Sequence, residues 1–131
     1  MTIRVAVSGS GNMGRQVIQA LSAADDIEVV GVLDKLSQGD TVSLAGAVTL
    51  PLRQTVKALS EYRADVLVDF SNAAWTQDLV PFAVEAGVRP VVGTSGLPDA
   101  FVADVEKRCE ERSLGAVIAS NFAMGAVLMM H

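Results

Sequence analysis

The chain has 131 residues, of which 50% are hydrophobic and 19% are charged, and this balance predicts one domain with an ordinary buried core. Its formal net charge of −5 argues against nucleic acid or an anionic membrane surface as partner, because both repel an acidic protein. With one cysteine, Cys109, and one histidine, His131, the sequence excludes an internal disulfide and offers no cysteine–histidine metal site.

Short apolar segments alternate with helical segments along the chain. We predict strands at residues 3–8, 27–34, 64–70, 89–93 and 116–120, where β-branched residues are frequent. The spacing of apolar residues predicts helices at residues 12–24, 55–62, 75–86, 98–113 and 123–131. Residues 36–51 show no clear periodicity, and we expect a loop there with a short strand at residues 47–50.

This alternation predicts an α/β fold, namely a Rossmann-type, doubly wound parallel sheet with helices on both faces. We expect residues 1–131 to form a single dinucleotide-binding domain. The apolar residues after Gly125 begin a helix that has no stop signal. We therefore expect the chain to be truncated, a fragment of a longer protein. No apolar run approaches the length of a membrane span, so we also expect a cytoplasmic location.

A glycine-rich turn between the first strand and the first helix fits the dinucleotide-binding pattern GxGxxG. Its residues are Gly9, Ser10, Gly11, Asn12, Met13 and Gly14. Gly9 permits the tight turn, Gly11 lets a pyrophosphate approach the backbone, and Gly14 allows close packing of helix and strand. The helix N-terminus then offers free N–H groups to the phosphates, and Arg15 adds a nearby cation.

Asp34 ends the second predicted strand, 20 residues after Gly14. An acid at this place accepts hydrogen bonds from the hydroxyls of the adenosine ribose. Lys35 follows directly, and its ammonium group would pair with the 2′-phosphate of NADP. Asp34 favours NAD and Lys35 favours NADP, so NAD is only slightly preferred and the use of both stays open.

Small and polar residues also follow the three later strands. They are Asp69, Phe70, Ser71 and Asn72, then Gly93, Thr94, Ser95 and Gly96, and finally Ser120, Asn121 and Phe122. Ligands of open α/β sheets bind beyond the carboxyl ends of the strands, so these residues predict the rest of a cofactor site. Any one of these turns alone would be compatible with an ordinary loop.

These segments together resemble the dihydrodipicolinate reductase family. The matching pieces are IRVAVSGSGNMGRQV, VLVDFSNA, VVGTSG and IASNFAMGAVLMMH. The resemblance implies a homotetramer that reduces 4-hydroxy-tetrahydrodipicolinate, a cyclic unsaturated dicarboxylate of lysine and diaminopimelate biosynthesis, with NADH or NADPH. It assigns the pyrophosphate to residues 9–13 and the adenosine ribose to Asp34, with Lys35 at a position that is often basic. It assigns the nicotinamide side to Gly93, Thr94, Ser95, Ser120, Asn121, Phe122 and Ala123.

The chain departs from the family at three points. Asn12 stands where the family often has Arg or Lys, and Ser95 replaces a threonine. The family's substrate-binding and acid-donating residues, and the sheet that builds its tetramer, belong to a second domain that is absent here. The resemblance therefore implies neither catalytic nor metal-binding residues in this chain, and cofactor binding with little or no turnover. Another Rossmann NAD(P)-dependent dehydrogenase and a stand-alone nucleotide-sensing module are the alternatives.

Overall fold

The structure is a computed structural model and describes residues 2–44 and 48–118. Its strands are β1 Ile3–Ser8, β2 Ile27–Leu33, β3 Thr41–Leu44, β4 Val48–Arg53, β5 Val66–Asp69, β6 Arg89–Val92 and β7 Val117–Ile118. Its helices are α1 Asn12–Ser22, α2 Leu59–Tyr62, α3 Ala73–Glu85 and α4 Asp99–Glu111, with a 3-10 turn at Val56–Ala58 before α2. The helix predicted at residues 123–131 lies outside the described residues.

The seven strands form one sheet in the order β3-β4-β2-β1-β5-β6-β7. Every neighbouring pair is parallel except β3 and β4, which are antiparallel. Strands β2 to β4 lie on one side of β1, and strands β5 to β7 lie on the other side. The strand order therefore reverses between β1 and β5, and ligands of such sheets bind at the carboxyl ends of the strands at that point. This topology confirms the predicted Rossmann-type fold.

The loop predicted for residues 36–51 is wrong for half of this stretch, because residues 41–44 and 48–51 form an antiparallel pair of strands. Thr41 pairs with Pro51, and the register continues to Leu44 opposite Val48. The predicted short strand overlaps β4, which continues beyond Pro51. A proline inside a central strand is unusual since it removes an N–H donor. It is tolerated here because β4 pairs with β2 only at the two residues that follow Pro51.

Apolar residues of the central strands are buried on both faces of the sheet. In β1, Val5 and Val7 pack in one cluster with Ile18 of α1. Ala6 points the other way and belongs to a second cluster with Leu79 of α3. Helices thus cover both faces, which is the reason that β1 is apolar without alternation. No helix in the described part of the chain is long and apolar enough to cross a membrane.

Gly31 and Tyr62 pack against each other near the carboxyl end of β2. A Cβ atom on Gly31 would lie 2.3 Å from the Tyr62 ring, so only glycine leaves room for that ring. The Tyr62 hydroxyl donates to the carbonyl oxygens of Val32 at 2.8 Å and Pro51 at 3.2 Å. Tyr62 therefore joins α2 to both β2 and β4. Its contact on β2, Val32, lies just before the turn that carries Asp34.

Candidate cofactor-binding site

The glycine-rich turn after β1 is closely packed at its two outer glycines. Gly9 has a φ of +104°, and a Cβ atom there would lie 2.8 Å from the carbonyl oxygen of Phe70. A Cβ atom on Gly14 would lie 2.0 Å from the carbonyl oxygen of Gly9. Gly14 is therefore required by the turn itself. Gly11 differs from both, since a Cβ atom there would meet nothing within 4 Å.

The N-terminus of α1 is open beside Gly11. Gly11 is the N-cap residue in an extended conformation, and no side chain of the described residues caps the helix. The first turn contains no acidic residue, while Asn12 and Met13 are exposed. Uncapped N–H groups at the positive end of the helix dipole favour an anion such as a pyrophosphate. The free space at Gly11 would let that anion reach the backbone.

Asp34 is held by the glycine-rich turn. Its Oδ2 accepts hydrogen bonds from the Ser10 backbone N–H at 3.0 Å and from the Ser10 hydroxyl at 2.5 Å. Its Oδ1 accepts from the Leu36 N–H at 3.0 Å, and the Ser10 hydroxyl also contacts the Ser37 hydroxyl at 2.6 Å. Partial burial raises the pKa of Asp34, but the hydrogen bonds outweigh burial and leave this pKa below its ordinary value.

Asp34 places a carboxylate next to the open N-terminus of α1, where a ribose hydroxyl would lie. Ser10, Leu36 and Ser37 all hydrogen-bond to this carboxylate. A ribose hydroxyl would therefore share an oxygen with these donors. Lys35 is exposed beside it and forms no ion pair with any residue that the structure describes. Its ammonium group is therefore available to a phosphate.

Arg15 lies on the outer side of the turn. Its guanidinium donates to the carbonyl oxygens of Ser10 at 3.2 Å and Ser43 at 3.3 Å. The predicted cation near the phosphates is thus engaged with backbone, and it connects the glycine-rich turn to β3. This contact was not predictable from the sequence, since the sequence predicts a loop at residues 41–44.

A buried polar cluster lies where β5, β6 and α3 meet. Asp69 is fully buried at the end of β5. Its Oδ1 accepts from the Ser71 hydroxyl at 2.6 Å and from the Ser71 N–H at 3.2 Å, and its Oδ2 accepts from the Thr76 hydroxyl at 2.6 Å. The Thr76 and Thr94 hydroxyl oxygens are 2.9 Å apart, and the Ser71 N–H donates to Thr94 at 3.2 Å.

The same cluster extends to the strand that precedes the glycine-rich turn. The indole N–H of Trp75 donates to the buried Ser8 hydroxyl at 2.8 Å, and Ser8 also hydrogen-bonds to Asp69. Burial raises the pKa of Asp69 above its ordinary value, and the hydrogen bonds from Ser71, Thr76 and Ser8 offset part of that increase. Neutral hydroxyl groups therefore surround the buried carboxyl group.

The predicted residues of the β6 turn divide into inner and outer groups. Thr94 is 4% exposed, and its hydroxyl belongs to the buried cluster rather than to the surface. Ser95 is exposed, while Gly93 is half-buried and donates its N–H to the carbonyl oxygen of Asp69 at 2.9 Å. A ligand at this turn would therefore meet Ser95 and the backbone before it meets the Thr94 side chain.

The structure brings the predicted positions after β1, β2, β5 and β6 to one edge of the sheet. Phe70 takes part through its backbone, since its N–H donates to the Ser8 carbonyl oxygen and its own carbonyl oxygen packs against Gly9. Four predicted positions lie outside the described residues, namely Ser120, Asn121, Phe122 and Ala123. Within the described ranges, no cluster of three or more histidine, cysteine or acidic side chains could hold a metal ion.

Two polar residues of the site were missed from the sequence. Ser37 contacts the Ser10–Asp34 pair, and Thr76 joins Asp69 to the β6 turn. Thr76 carried a signal, because a hydroxyl group next to Trp75 on the apolar face of a helix requires a buried partner. Ser37 carried none, since a serine in a surface turn is common.

A cavity of about 440 Å³ opens between the β6 turn and α4. Its lining includes Thr94, Gly96, Leu97, Asp99, Glu106 and Ile118. The carboxylates of Asp99 and Glu106 on this wall make it unsuited to phosphates.

Comparison with known proteins identifies the family. The family model for the N-terminus of dihydrodipicolinate reductase matches residues 3–122. A 4-hydroxy-tetrahydrodipicolinate reductase from Moorella thermoacetica is 41% identical over 99% of this chain and 51% of its own length. The corresponding protein from Halalkalibacterium halodurans is 38% identical over 98% of this chain and 50% of its own length. The chain thus spans about half the length of these curated relatives.

Solved structures agree with the sequence comparison. Dipicolinate-bound dihydrodipicolinate reductase from Paenisporosarcina sp. TG-14 superposes with a TM-score of 0.81 at 30% identity, over 99% of this chain and 51% of that chain. Homoserine dehydrogenase from S. aureus reaches a TM-score of 0.77 at 16% identity, over 95% of this chain and 34% of that chain, and shares the fold alone. The chain therefore belongs to the dihydrodipicolinate reductase family and comprises its N-terminal, nucleotide-binding domain.

Proposed function

We propose that this chain binds a reduced pyridine nucleotide along the carboxyl edge of its sheet, with the adenosine at β2 and the nicotinamide at β5 and β6. The observation that carries the proposal is the Asp34 carboxylate, which Ser10 holds beside the uncapped N-terminus of α1. A ribose acceptor and an anion site adjoin there in the order in which a dinucleotide presents its ribose and pyrophosphate.

The residues present fit such a cofactor. The pyrophosphate lies over the glycine-rich turn (Gly9, Ser10, Gly11, Asn12, Met13 and Gly14), and the space at Gly11 accommodates it. The nicotinamide end lies against Phe70, Ser71, Gly93, Thr94 and Ser95. We retain Ser120, Asn121, Phe122 and Ala123 as contacts on the strength of the family resemblance. When bound, the nicotinamide supplies a hydride, and this chain's own residues bind and orient it.

We propose that NADH is slightly preferred and that NADPH is also accepted. Asp34 stays ionised near neutral pH because its pKa is lowered, and a second negative charge on a 2′-phosphate would be repelled by it. Lys35 is exposed and adjacent, so its ammonium group compensates for part of this repulsion. The two side chains oppose each other, which supports dual use with a small difference in affinity.

For the whole protein we propose reduction of a cyclic unsaturated dicarboxylate, 4-hydroxy-tetrahydrodipicolinate, in lysine and diaminopimelate biosynthesis. The names of the relatives and the dipicolinate bound to the solved neighbour support this substrate class. The part of those relatives that this chain does not match would supply the substrate site, the proton donor and a homotetramer interface. We expect the chain alone to bind cofactor with little or no turnover, in the cytoplasm.

Direct titration tests the proposal. The chain is titrated with NADH and with NADPH, and binding is followed by isothermal calorimetry and by the change in nicotinamide fluorescence. We expect saturable binding of both, with a smaller Kd for NADH. The proposal fails if neither nucleotide binds at millimolar concentration, and the stated preference fails if NADPH binds more tightly.

A further inference from the structure

Asp69 is a buried carboxylate without a cationic partner. It is fully buried at the end of β5, next to the point where the strand order reverses. Within residues 2–44 and 48–118 no lysine or arginine forms an ion pair with it. An unpaired buried charge is costly, and such groups concentrate at functional sites. Because Asp69 is fully buried and its carboxylate does not reach the surface, its role in this cluster needs a separate explanation.

Two short hydrogen bonds to Asp69 fit an ionised carboxylate, although burial raises its pKa. Its contacts with the Ser71 and Thr76 hydroxyls are both 2.6 Å long, which is typical of a hydroxyl donating to a carboxylate. An ionised carboxylate only accepts hydrogen bonds, so both hydroxyls direct their single proton toward it. The Thr76 hydroxyl also lies within hydrogen-bond distance of the Thr94 oxygen, at 2.9 Å, and that oxygen accepts from the Ser71 N–H. Asp69 thus contacts the Ser71 and Thr76 hydroxyls directly and is linked to Thr94 through Thr76.

Two of the residues linked to Asp69 belong to turns at the nicotinamide end of the proposed site. Ser71 follows β5, and Thr94 follows β6 next to the exposed Ser95. We propose that Asp69 is a positioning residue for the nicotinamide, acting through the Ser71 and Thr94 turns, and that its buried charge favours the oxidised, cationic ring over the reduced one. This inference rests on the proposed function, since it needs the nicotinamide at these turns.

The size of the effect follows from the charge of the ring. The oxidised nicotinamide carries a positive charge and the reduced one is neutral, so a nearby carboxylate stabilises only the oxidised form. If the ring lies about 8 Å from the carboxylate and the effective dielectric constant is about 20 to 40, this preference amounts to roughly five- to thirty-fold in affinity. The same charge assists hydride donation, because the ring becomes cationic as the hydride leaves.

The charge is tested with Asp69→Asn, which keeps the shape of the side chain and removes the charge. Kd values for NAD+ and NADH are measured by isothermal calorimetry on the chain and on the variant, after circular dichroism confirms folding. We expect the ratio of Kd for NAD+ to Kd for NADH to rise about five- to thirty-fold. A rise smaller than about twofold overturns the inference, even if both affinities fall, because a merely structural role weakens both nucleotides alike.

Positioning is tested separately with Thr94→Val, which keeps the Asp69 charge and removes the hydroxyl that joins Thr76 to the Ser71 N–H. We expect NAD+ and NADH to lose affinity together by about tenfold, while ADP-ribose, which lacks the ring, binds as before. Equal loss for ADP-ribose, or no loss for any ligand, overturns positioning, and this test stands even if Asp69→Asn does not fold. Failure of the unmodified chain to bind ADP-ribose and NADH would instead refute the proposed function.

Discussion

Replacing Gly11 with alanine separates cofactor binding from folding. A Cβ atom on Gly11 meets nothing within 4 Å, and the residue is extended, with a φ of −71° that any residue adopts. The substitution therefore costs only the difference between glycine and alanine at a helix N-cap, about 0.5–1 kcal/mol. Its methyl group occupies the space through which a pyrophosphate would approach, so we expect the Kd for NADH to rise at least tenfold, equivalent to about 1.4 kcal/mol.

The neighbouring glycine provides the contrast. A Cβ atom on Gly14 would lie 2.0 Å from the Gly9 carbonyl oxygen, so Gly14→Ala must displace the turn and cost more than about 3 kcal/mol of the free energy of unfolding. Gly115→Ala is the matched control, because the nearest atom to its Cβ position is the Arg89 Cδ at 4.0 Å, away from the site. Urea unfolding without cofactor and calorimetric titration with NADH are compared for all three variants. Unchanged binding by Gly11→Ala, or a loss of stability equal to that of Gly14→Ala, would refute the reasoning.

Three further substitutions have distinct expected outcomes. Tyr62→Phe removes a buried hydroxyl that donates to the Val32 and Pro51 carbonyls, so urea unfolding should show a loss of about 1–2 kcal/mol; a change below the error of the fit would contradict this. Lys35→Ala should weaken NADPH by about five- to tenfold and leave NADH within twofold, because a pairing partner of the 2′-phosphate is lost; equal weakening of both would count against that role. The pKa of Asp34 is lower than 3.8 in the folded chain, so its stabilising contribution is present above about pH 4 and lost as pH falls through the folded-state value. Asp34→Asn should therefore flatten the decline of stability between pH 5 and 3, and an unchanged decline would show that other groups cause it.

The main features of the fold were predictable because they depend on local pattern. Alternating strands and helices predicted the parallel sheet, and the position of the glycine-rich turn between β1 and α1 predicted an open helix N-terminus. The β3–β4 pair was not predictable, because Pro51 interrupts the apolar pattern and the strand is formed by pairing with residues 41–44. That pairing is a tertiary contact, which local propensity does not contain.

The sequence predicted which strand ends form the site, but it did not predict the hydrogen bonds that link the residues at those ends. Asp34 follows a strand at a recognisable distance from the glycines. The link from Asp69 through Thr76 to Thr94 depends on how α3 docks onto β5 and β6, and these residues are far apart in sequence. The same docking turns the Thr94 hydroxyl inward, whereas the sequence suggested that it faces a ligand. Side-chain direction at a turn thus follows from packing rather than from residue type.

The contact between Gly31 and Tyr62 has a consequence for how this chain tolerates substitution. Any side chain at position 31 competes with the Tyr62 ring for the same volume, since the Cβ position lies 2.3 Å from that ring. A larger residue at 31 becomes acceptable only when position 62 becomes smaller, so the two positions are coupled and their effects on stability are not additive. A smaller residue at 62 gives up the hydroxyl that ties α2 to β2 and β4. Compensation at this pair therefore restores volume without restoring the hydrogen bonds that support the turn of Asp34.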